Sequence, residues 1–282
     1  MNIFVYLRYG LAVVILMVIF FVAGGGFSHG ERFRINTISI IGTIVVSDDE
    51  VRDFINKKLE GNYFLVYSRR NSFLFPKKEI EQSLRESFPR LNTVLAQRID
   101  GHTITINVSE RKPYALWCGN EYRVINNGQL IMDNDSHLQP TQECWFIDDT
   151  GFIFDRAPTF SAGVYMEVYG AIDGFLPGGR LPPNRFIIGD LFAKLLRNNF
   201  GEPIRIEIKS EGEMVIMIRS STQYPILTGV SIRFKDGQDP HVLIKNLHVS
   251  IPVKFPPTSV SKKKLIYIDL RFRNKVFFGF GE

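Results

Sequence analysis

The apolar positions of this chain fall into one long run followed by many short, periodic ones. Residues 9–28 read Tyr-Gly-Leu-Ala-Val-Val-Ile-Leu-Met-Val-Ile-Phe-Phe-Val-Ala-Gly-Gly-Gly-Phe-Ser without a charge, and no comparable run follows. A hydrocarbon core about 30 Å thick needs roughly 20 apolar residues, so Tyr9 to Ser28 is expected to be a membrane-spanning helix behind a short head, residues 1–8. A cleavable leader is the competing reading, with Arg8 ahead of the run and small residues at Ala23 to Gly26. A leader's apolar core usually has about 7 to 15 residues and ends in an Ala-x-Ala pattern. This run is longer and lacks the pattern, which favours a retained span. Its flanks give little direction, since Arg8 precedes it while Arg32 and Arg34 follow.

Beyond the run the pattern alternates between the two regular periods. Ile35 to Gly42 is rich in β-branched residues, with Ile38 and Ile40 on one face, and predicts a strand. Ser47-Asp48-Asp49-Glu50 has the form of a capping box, and Val51, Phe54, Ile55 and Leu59 follow at helical spacing up to Gly61. Phe64 to Phe75 is aromatic-rich and irregular, carrying Arg69 and Arg70. Pro76 then suits the first turn of a second helix with Ile80, Leu84 and Phe88 on one face, closed by Pro89. Leu91 to Ile99 predicts a strand, Asp100-Gly101 a hairpin turn, and Thr103 to Val108 a strand with Ile104, Ile106 and Val108 inward. The order is strand, helix, helix, strand, strand.

The second half predicts a hairpin over Phe146 to Phe154, turning at Asp148-Asp149-Thr150-Gly151. A helix over Phe186 to Asn199 and strands at Ile204 to Ile208, Met214 to Ile218 and Ile226 to Phe234 follow, then a weaker helix from Pro240 to His248. A Gly/Pro-rich stretch, residues 163–183, fits no element. The chain closes on two strands, the last around Val276 to Phe280.

Composition narrows the function. The 282 residues are 45% hydrophobic, enough for two folded domains after the run. A net charge of +5 is spread along the chain, without the concentrated basic face that a phosphate backbone requires, so nucleic acid is not an expected partner. Lys262 to Lys264 reads as a solvated turn or edge guard. The two cysteines form a mirrored pair, Trp117-Cys118 and Cys144-Trp145. A bridge between them would close a loop of about 25 residues, be worth roughly 3 kcal/mol, and need an oxidising compartment; two free core thiols are the other reading. With no paired histidines nearby they supply too few ligands for zinc, so no metal is expected.

Catalytic motifs fail the same scrutiny. There is no Gly-x-Ser-x-Gly elbow, no His-Glu-x-x-His and no phosphate-cradling glycine loop. Ser259 with Lys262, or Ser261 with Lys264, matches Ser-x-x-Lys only because the lysines run together. His29, His102, His137, His241 and His248 are scattered, and Asp148 and Asp149 are adjacent, suiting a turn rather than acid–base work. The expectation is no catalytic residue, no cofactor and no small-molecule substrate.

The strand-helix-helix-strand-strand order directly after an anchor resembles a POTRA domain. Its last strand runs through Val108-Ser109-Glu110-Arg111-Lys112-Pro113 into Tyr114-Ala115-Leu116-Trp117, which is similar to the Glu-Arg-x-Pro junction of the FtsQ/DivIB family of bacterial cell-division proteins. The close, Asp269-Leu270-Arg271-Phe272 followed by Val276-Phe277-Phe278-Gly279-Phe280, resembles the end of that family's β domain. The resemblance implies an α+β architecture: a transmembrane helix, a POTRA domain over residues 33–112, and a mainly antiparallel β domain with one or two helices over 113–282. It also implies a single-pass protein of the cytoplasmic membrane at the division septum, head in the cytoplasm and body outside. The implied role is a non-catalytic scaffold that binds small bitopic coiled-coil proteins of the FtsB/FtsL type, among other divisome components. The final strands would do the binding, with Arg271, Phe272, Phe278 and Phe280 as partner contacts and Arg271 forking onto a partner carboxylate. Two alternatives are a POTRA-type adaptor of secretion or outer-membrane assembly, and an anchored cell-wall enzyme.

Overall fold

The computed structural model describes residues 3–120, 125–126, 129–130, 143–161, 163–256, 263–273 and 275–281. His137, Ser259, Ser261, Lys262 and Glu282 lie outside them. The chain is mixed α+β and divides into two compact units, Met1–Arg111 and Lys112–Glu282.

The first unit opens with helix α1, Ile3–Ser28, of which Leu7–Ser28 is long and apolar enough to cross a membrane, with a mean hydropathy of 2.5. Strand β1 (Thr37–Ile41) and helix α2 (Asp48–Lys58) follow, then a short hairpin, β2 (Asn62–Tyr63) and β3 (Tyr67–Ser68), which overlaps the start of the segment that the sequence leaves irregular. Helix α3 (Lys77–Ser87) and strands β4 (Leu91–Arg98) and β5 (Thr103–Glu110) complete the unit. The sheet order is β1-β5-β4, β1 parallel and β4 antiparallel to β5. Val51, Ile55 and Leu59 of the α2 stripe, Ile80 and Leu84 of α3, and Ile104, Ile106 and Val108 of β5 are all buried, as their spacing requires.

The start of α2 departs from the expected capping box. The Ser47 side chain makes no cap bond. Glu110 governs this corner instead: its Oε1 accepts the backbone N–H groups of Ile44, Val45 and Val46 at 2.7, 2.8 and 2.9 Å, and its Oε2 takes the Arg90 Nε at 3.1 Å. Burial pushes this carboxyl up, but the three amides and Arg90 outweigh it and hold it below the ordinary value. Glu110 of the Glu-Arg-Lys-Pro stretch is therefore a fold-determining residue.

The second unit holds strands β6 (Ala115–Trp117), β7 (Ile125–Asn126), β8 (Gln129–Leu130), β9 (Trp145–Ile147), β10 (Ile153–Arg156) and β11 (Glu167–Gly170). Helix α4 (Pro183–Asn199), strands β12 (Glu202–Ile208), β13 (Glu213–Ser220) and β14 (Ser231–Lys235), helix α5 (Pro240–Lys254), and strands β15 (Leu265–Phe272) and β16 (Lys275–Phe280) follow. Among the described residues, nine strands form one mixed sheet in the order β10-β9-β6-β11-β12-β13-β14-β15-β16. Most neighbours are antiparallel, but β6/β11, β11/β12 and β14/β15 are parallel. α4 begins a few residues before the expected helix, because Pro183 fits its first turn, and α5 extends to Lys254 through Pro252.

Phe186, Phe192 and Leu196 of α4 and Leu243, Leu247 and Ile251 of α5 pack on Ile206, Ile216, Ile232 and Ile268 of the sheet. The alternate residues form a polar second face, where Arg205 lies over the Tyr169 ring at 5.6 Å and Arg233 over Tyr267 at 4.4 Å. One buried face and one hydrated face explain the alternation along β12 to β15.

Candidate functional site

The two final strands carry every residue that the sequence nominated for partner contact. Asp269 and Arg271 are two apart on β15 and share a face, so the aspartate is within reach of its own guanidinium. Asp269 Oδ1 accepts the Arg271 N–H at 3.0 Å and Nε at 2.9 Å, and its Oδ2 accepts Nη2 at 2.6 Å. Arg271 Nη1 reaches Glu213 Oε2 on β13 at 2.5 Å. Burial raises the Asp269 carboxyl, but the bonds from the Arg271 side chain and backbone outweigh it and hold it below the usual range. Those carboxylates raise the Arg271 guanidinium further above its usual value. The bidentate partner expected for Arg271 thus lies in the chain itself.

The aromatic residues divide between the two faces. Phe278 and Phe280 point to the helical side, against Phe255 just after α5, with ring centroids 5.4 and 6.2 Å away. Phe272 turns to the other face, where a shift in the β15/β16 register sets it edge-on to Phe277 at 5.2 Å. Phe272 and Phe277 are 52% and 48% exposed, so a substantial apolar surface stands beside the strand. Phe277 was not among the nominated residues, although strand alternation alone places it on the face opposite Phe278.

β16 is the last strand of its sheet. Among the described residues, its outer side makes no backbone hydrogen bond to another segment. Such an edge presents alternating free N–H and C=O groups that an extended segment can pair with.

The mirrored Trp-Cys and Cys-Trp dipeptides meet near the opposite edge. β6 and β9 are antiparallel with Trp117 opposite Trp145, so one step outward Cys118 faces Cys144. The Cα atoms are 4.2 Å apart and the two cysteines form a disulfide. Asp148 behaves as its turn requires, its Oδ1 accepting the N–H groups of Thr150 and Phe152 at 2.9 and 3.0 Å.

A separate polar cluster involves α4. Tyr114 donates its hydroxyl to buried Asp190 at 2.5 Å, and Lys194 pairs with the same carboxylate at 2.7 Å. Burial, then the Asp190 bond, raises the Tyr114 phenol, while bonds from Asp190 and Tyr114 raise Lys194. Tyr114 also borders a shallow cavity of about 270 Å³ shared with Arg197, Glu202 and Arg219. The cluster pins α4 to the segment that leads into β6. Among the described residues, no three His, Cys, Asp or Glu side chains gather where they could hold a metal ion.

No protein-family model matches the chain, and no curated protein matches it.

Proposed function

We propose that this protein is a membrane-anchored, non-catalytic scaffold of the FtsQ/DivIB type in the bacterial division machinery, and that β16 receives a partner segment as an added strand. The observation that carries this reading is the open edge of the nine-stranded sheet, flanked by exposed Phe272 and Phe277. Backbone pairing supplies affinity and the flanking apolar side chains supply specificity. In this reading the first unit is a POTRA domain, consistent with its β1-β5-β4 sheet backed by α2 and α3. The body lies outside the cytoplasmic membrane, where the Cys118–Cys144 bridge would persist. The fitting partners are small bitopic coiled-coil division proteins of the FtsB/FtsL type. Arg271 contributes by holding β15 to β13, so that β16 is presented on a fixed neighbour.

The reading is tested in dividing cells with a photo-crosslinking residue at Phe277 and a fluorescent tag on the head. The expected result is a crosslink to a small single-span coiled-coil protein and a signal concentrated at the septum. A diffuse envelope signal would overturn the division assignment. A septal signal without a crosslink at Phe277 would overturn the strand-addition site alone.

A further inference from the structure

The three consecutive glycines near the end of α1 and the hairpin β2–β3 are built for each other. A Cβ on Gly24 would lie 2.9 Å from Tyr67 Oη, and one on Gly25 would lie 2.8 Å from Val66 Cβ and 2.9 Å from the Val66 carbonyl oxygen. Only a helix surface without side chains there admits the hairpin, as at other close helix contacts in membranes. Hydrogen bonds fasten the contact: Tyr67 Oη donates to the Phe21 carbonyl at 3.0 Å, Ser68 N–H to Ser28 Oγ at 2.9 Å, and Asn71 Nδ2 to the Ser28 carbonyl at 3.0 Å. The Phe21 ring stands edge-on to Tyr67 at 5.1 Å and to Phe64 at 6.4 Å.

These contacts fix how far the hairpin reaches. Phe21 lies seven residues before the end of α1, about 10 Å back along a helix rising 1.5 Å per residue. The hairpin therefore runs back alongside the segment that spans the bilayer. Its tip is Phe64 and Leu65, 82% and 91% exposed. The turn closed by Val66 N–H on the Tyr63 carbonyl puts both at positive φ, +47° and +67°, where Asn and Gly are usual. A turn made for water would not carry two large apolar side chains in those positions.

Two carbonyls at the end of the hairpin have partners within the protein, as a lipid setting favours. The Leu65 carbonyl accepts from Asn62 Nδ2 at 3.4 Å, and the Val66 carbonyl lies 3.1 Å from His29 Nε2. Tyr63 and Tyr67, of the residue type that collects at membrane interfaces, flank the tip. Arg69 stacks on Tyr63 at 5.2 Å and pairs with Glu79 at 2.7 Å, closing the base with charge.

We infer that the β2–β3 hairpin is a second membrane element: its Phe64–Leu65 tip inserts among the acyl chains of the leaflet from which α1 emerges and locks the first unit to the span. The inference rests on α1 crossing the bilayer. Large apolar side chains at the tip gain a lipid environment, and the glycine groove and hydrogen bonds hold the hairpin at that depth. The first unit is thereby held against its anchor rather than swinging on a linker.

The test uses the full chain in lipid nanodiscs with the disulfide intact and a nitroxide on one introduced cysteine. The positions are Leu65→Cys, Leu16→Cys within the span, and Arg85→Cys on the exposed side of α3. Relaxation by oxygen, which concentrates in lipid, is compared with relaxation by a water-soluble nickel complex. The expected result is a several-fold preference for oxygen at Leu65 and Leu16, and the reverse at Arg85. A water-like response at Leu65 with a lipid-like one at Leu16 overturns the hairpin insertion and leaves the anchor standing. A water-like response at Leu16 overturns the anchor, and the hairpin proposal with it.

Discussion

At one edge of the nine-stranded sheet, the start of β10 is already occupied: Ile153 donates its N–H to Gly179 at 2.8 Å and accepts from Gly178 at 2.8 Å, while Phe152 bridges Arg180. The rest of that strand is buried Phe154 followed by Asp155-Arg156, whose charge discourages a neighbour. At the other edge, β16 has one lysine and then Val-Phe-Phe-Gly-Phe, with its outer side unpaired among the described residues. One chain thus guards one edge and leaves the other apolar and open. The Gly/Pro-rich stretch that fits no element in the sequence supplies β11 to the middle of the sheet and, through Gly178 to Arg180, a strip over the edge of β10, and the contrast is what gives β16 its functional reading.

The largest expected effect comes from undermining the open edge through its support. Arg271→Ala leaves Asp269, only 5% exposed, without its guanidinium partner, while Glu213 keeps Lys209 at 3.5 Å. An expected loss of about 3 kcal/mol follows from leaving a buried charged group unpaired, read by denaturant unfolding of the full chain in detergent. The pH response gives an independent signature. Asp269 has a lowered folded pKa, so its contribution is complete above the unfolded value near 3.9 and is lost as pH falls through the lower folded value. In Arg271→Ala the guanidinium bonds to Asp269 are lost while the residue 271 N–H and Arg233 remain, so that pKa rises from its parent value. The stability that Asp269 loses on acidification should then be smaller than in the parent.

Next in size is breaking the guarded edge. Gly178 has φ +110°, a conformation that side chains rarely adopt, and its N–H is one of the two bonds that cover Ile153. Gly178→Val should cost about 1 to 3 kcal/mol through backbone strain and also lift the strip from β10. The measurements are thermal unfolding and light scattering. A strain penalty without new self-association would show that the strip is not what keeps this edge from pairing.

A smaller gain is expected at the hairpin tip. Phe64→Asn with Leu65→Gly supplies residues suited to positive φ, and should stabilise the chain in detergent by about 1 kcal/mol or more. If the midpoint does not rise, the tip is not strained.

What the sequence shows directly and what it hides divide along a physical line. Periodicity reports burial on one face of a local element, so the long apolar run, the α2 and α3 stripes and the inward side of β5 can all be read from spacing. The residues that hold elements together depend on distant partners. Ser47 has the right local chemistry for a cap, but Glu110, more than sixty positions away, takes the loop amides. The β2–β3 hairpin escapes notice because Phe64 and Leu65 hold positions where a turn signal would be Asn-Gly. For the same reason Arg271 looks free for a partner in the sequence, while its face-sharing neighbour Asp269 and the distant Glu213 engage it in the fold.

The smallest effect on the fold is expected from Phe277→Thr, which makes it the sharpest probe of the open edge. Phe277 is half-exposed on the hydrated face, touches Phe272, and lies outside the packed cluster that takes in Val276 and Phe278. Threonine keeps β propensity at this position, so stability should change by no more than about 0.5 kcal/mol. Partner binding should nonetheless weaken by roughly 2 kcal/mol, near thirtyfold, as for an aromatic at the centre of an interface. Partner titrations against Phe277→Thr and Arg156→Thr, the matching change on β10, then turn the contrast of edges into a measurement. Loss at Phe277 alone places the socket at β16; equal losses, or none at either, would mean that the open edge is not where the partner binds.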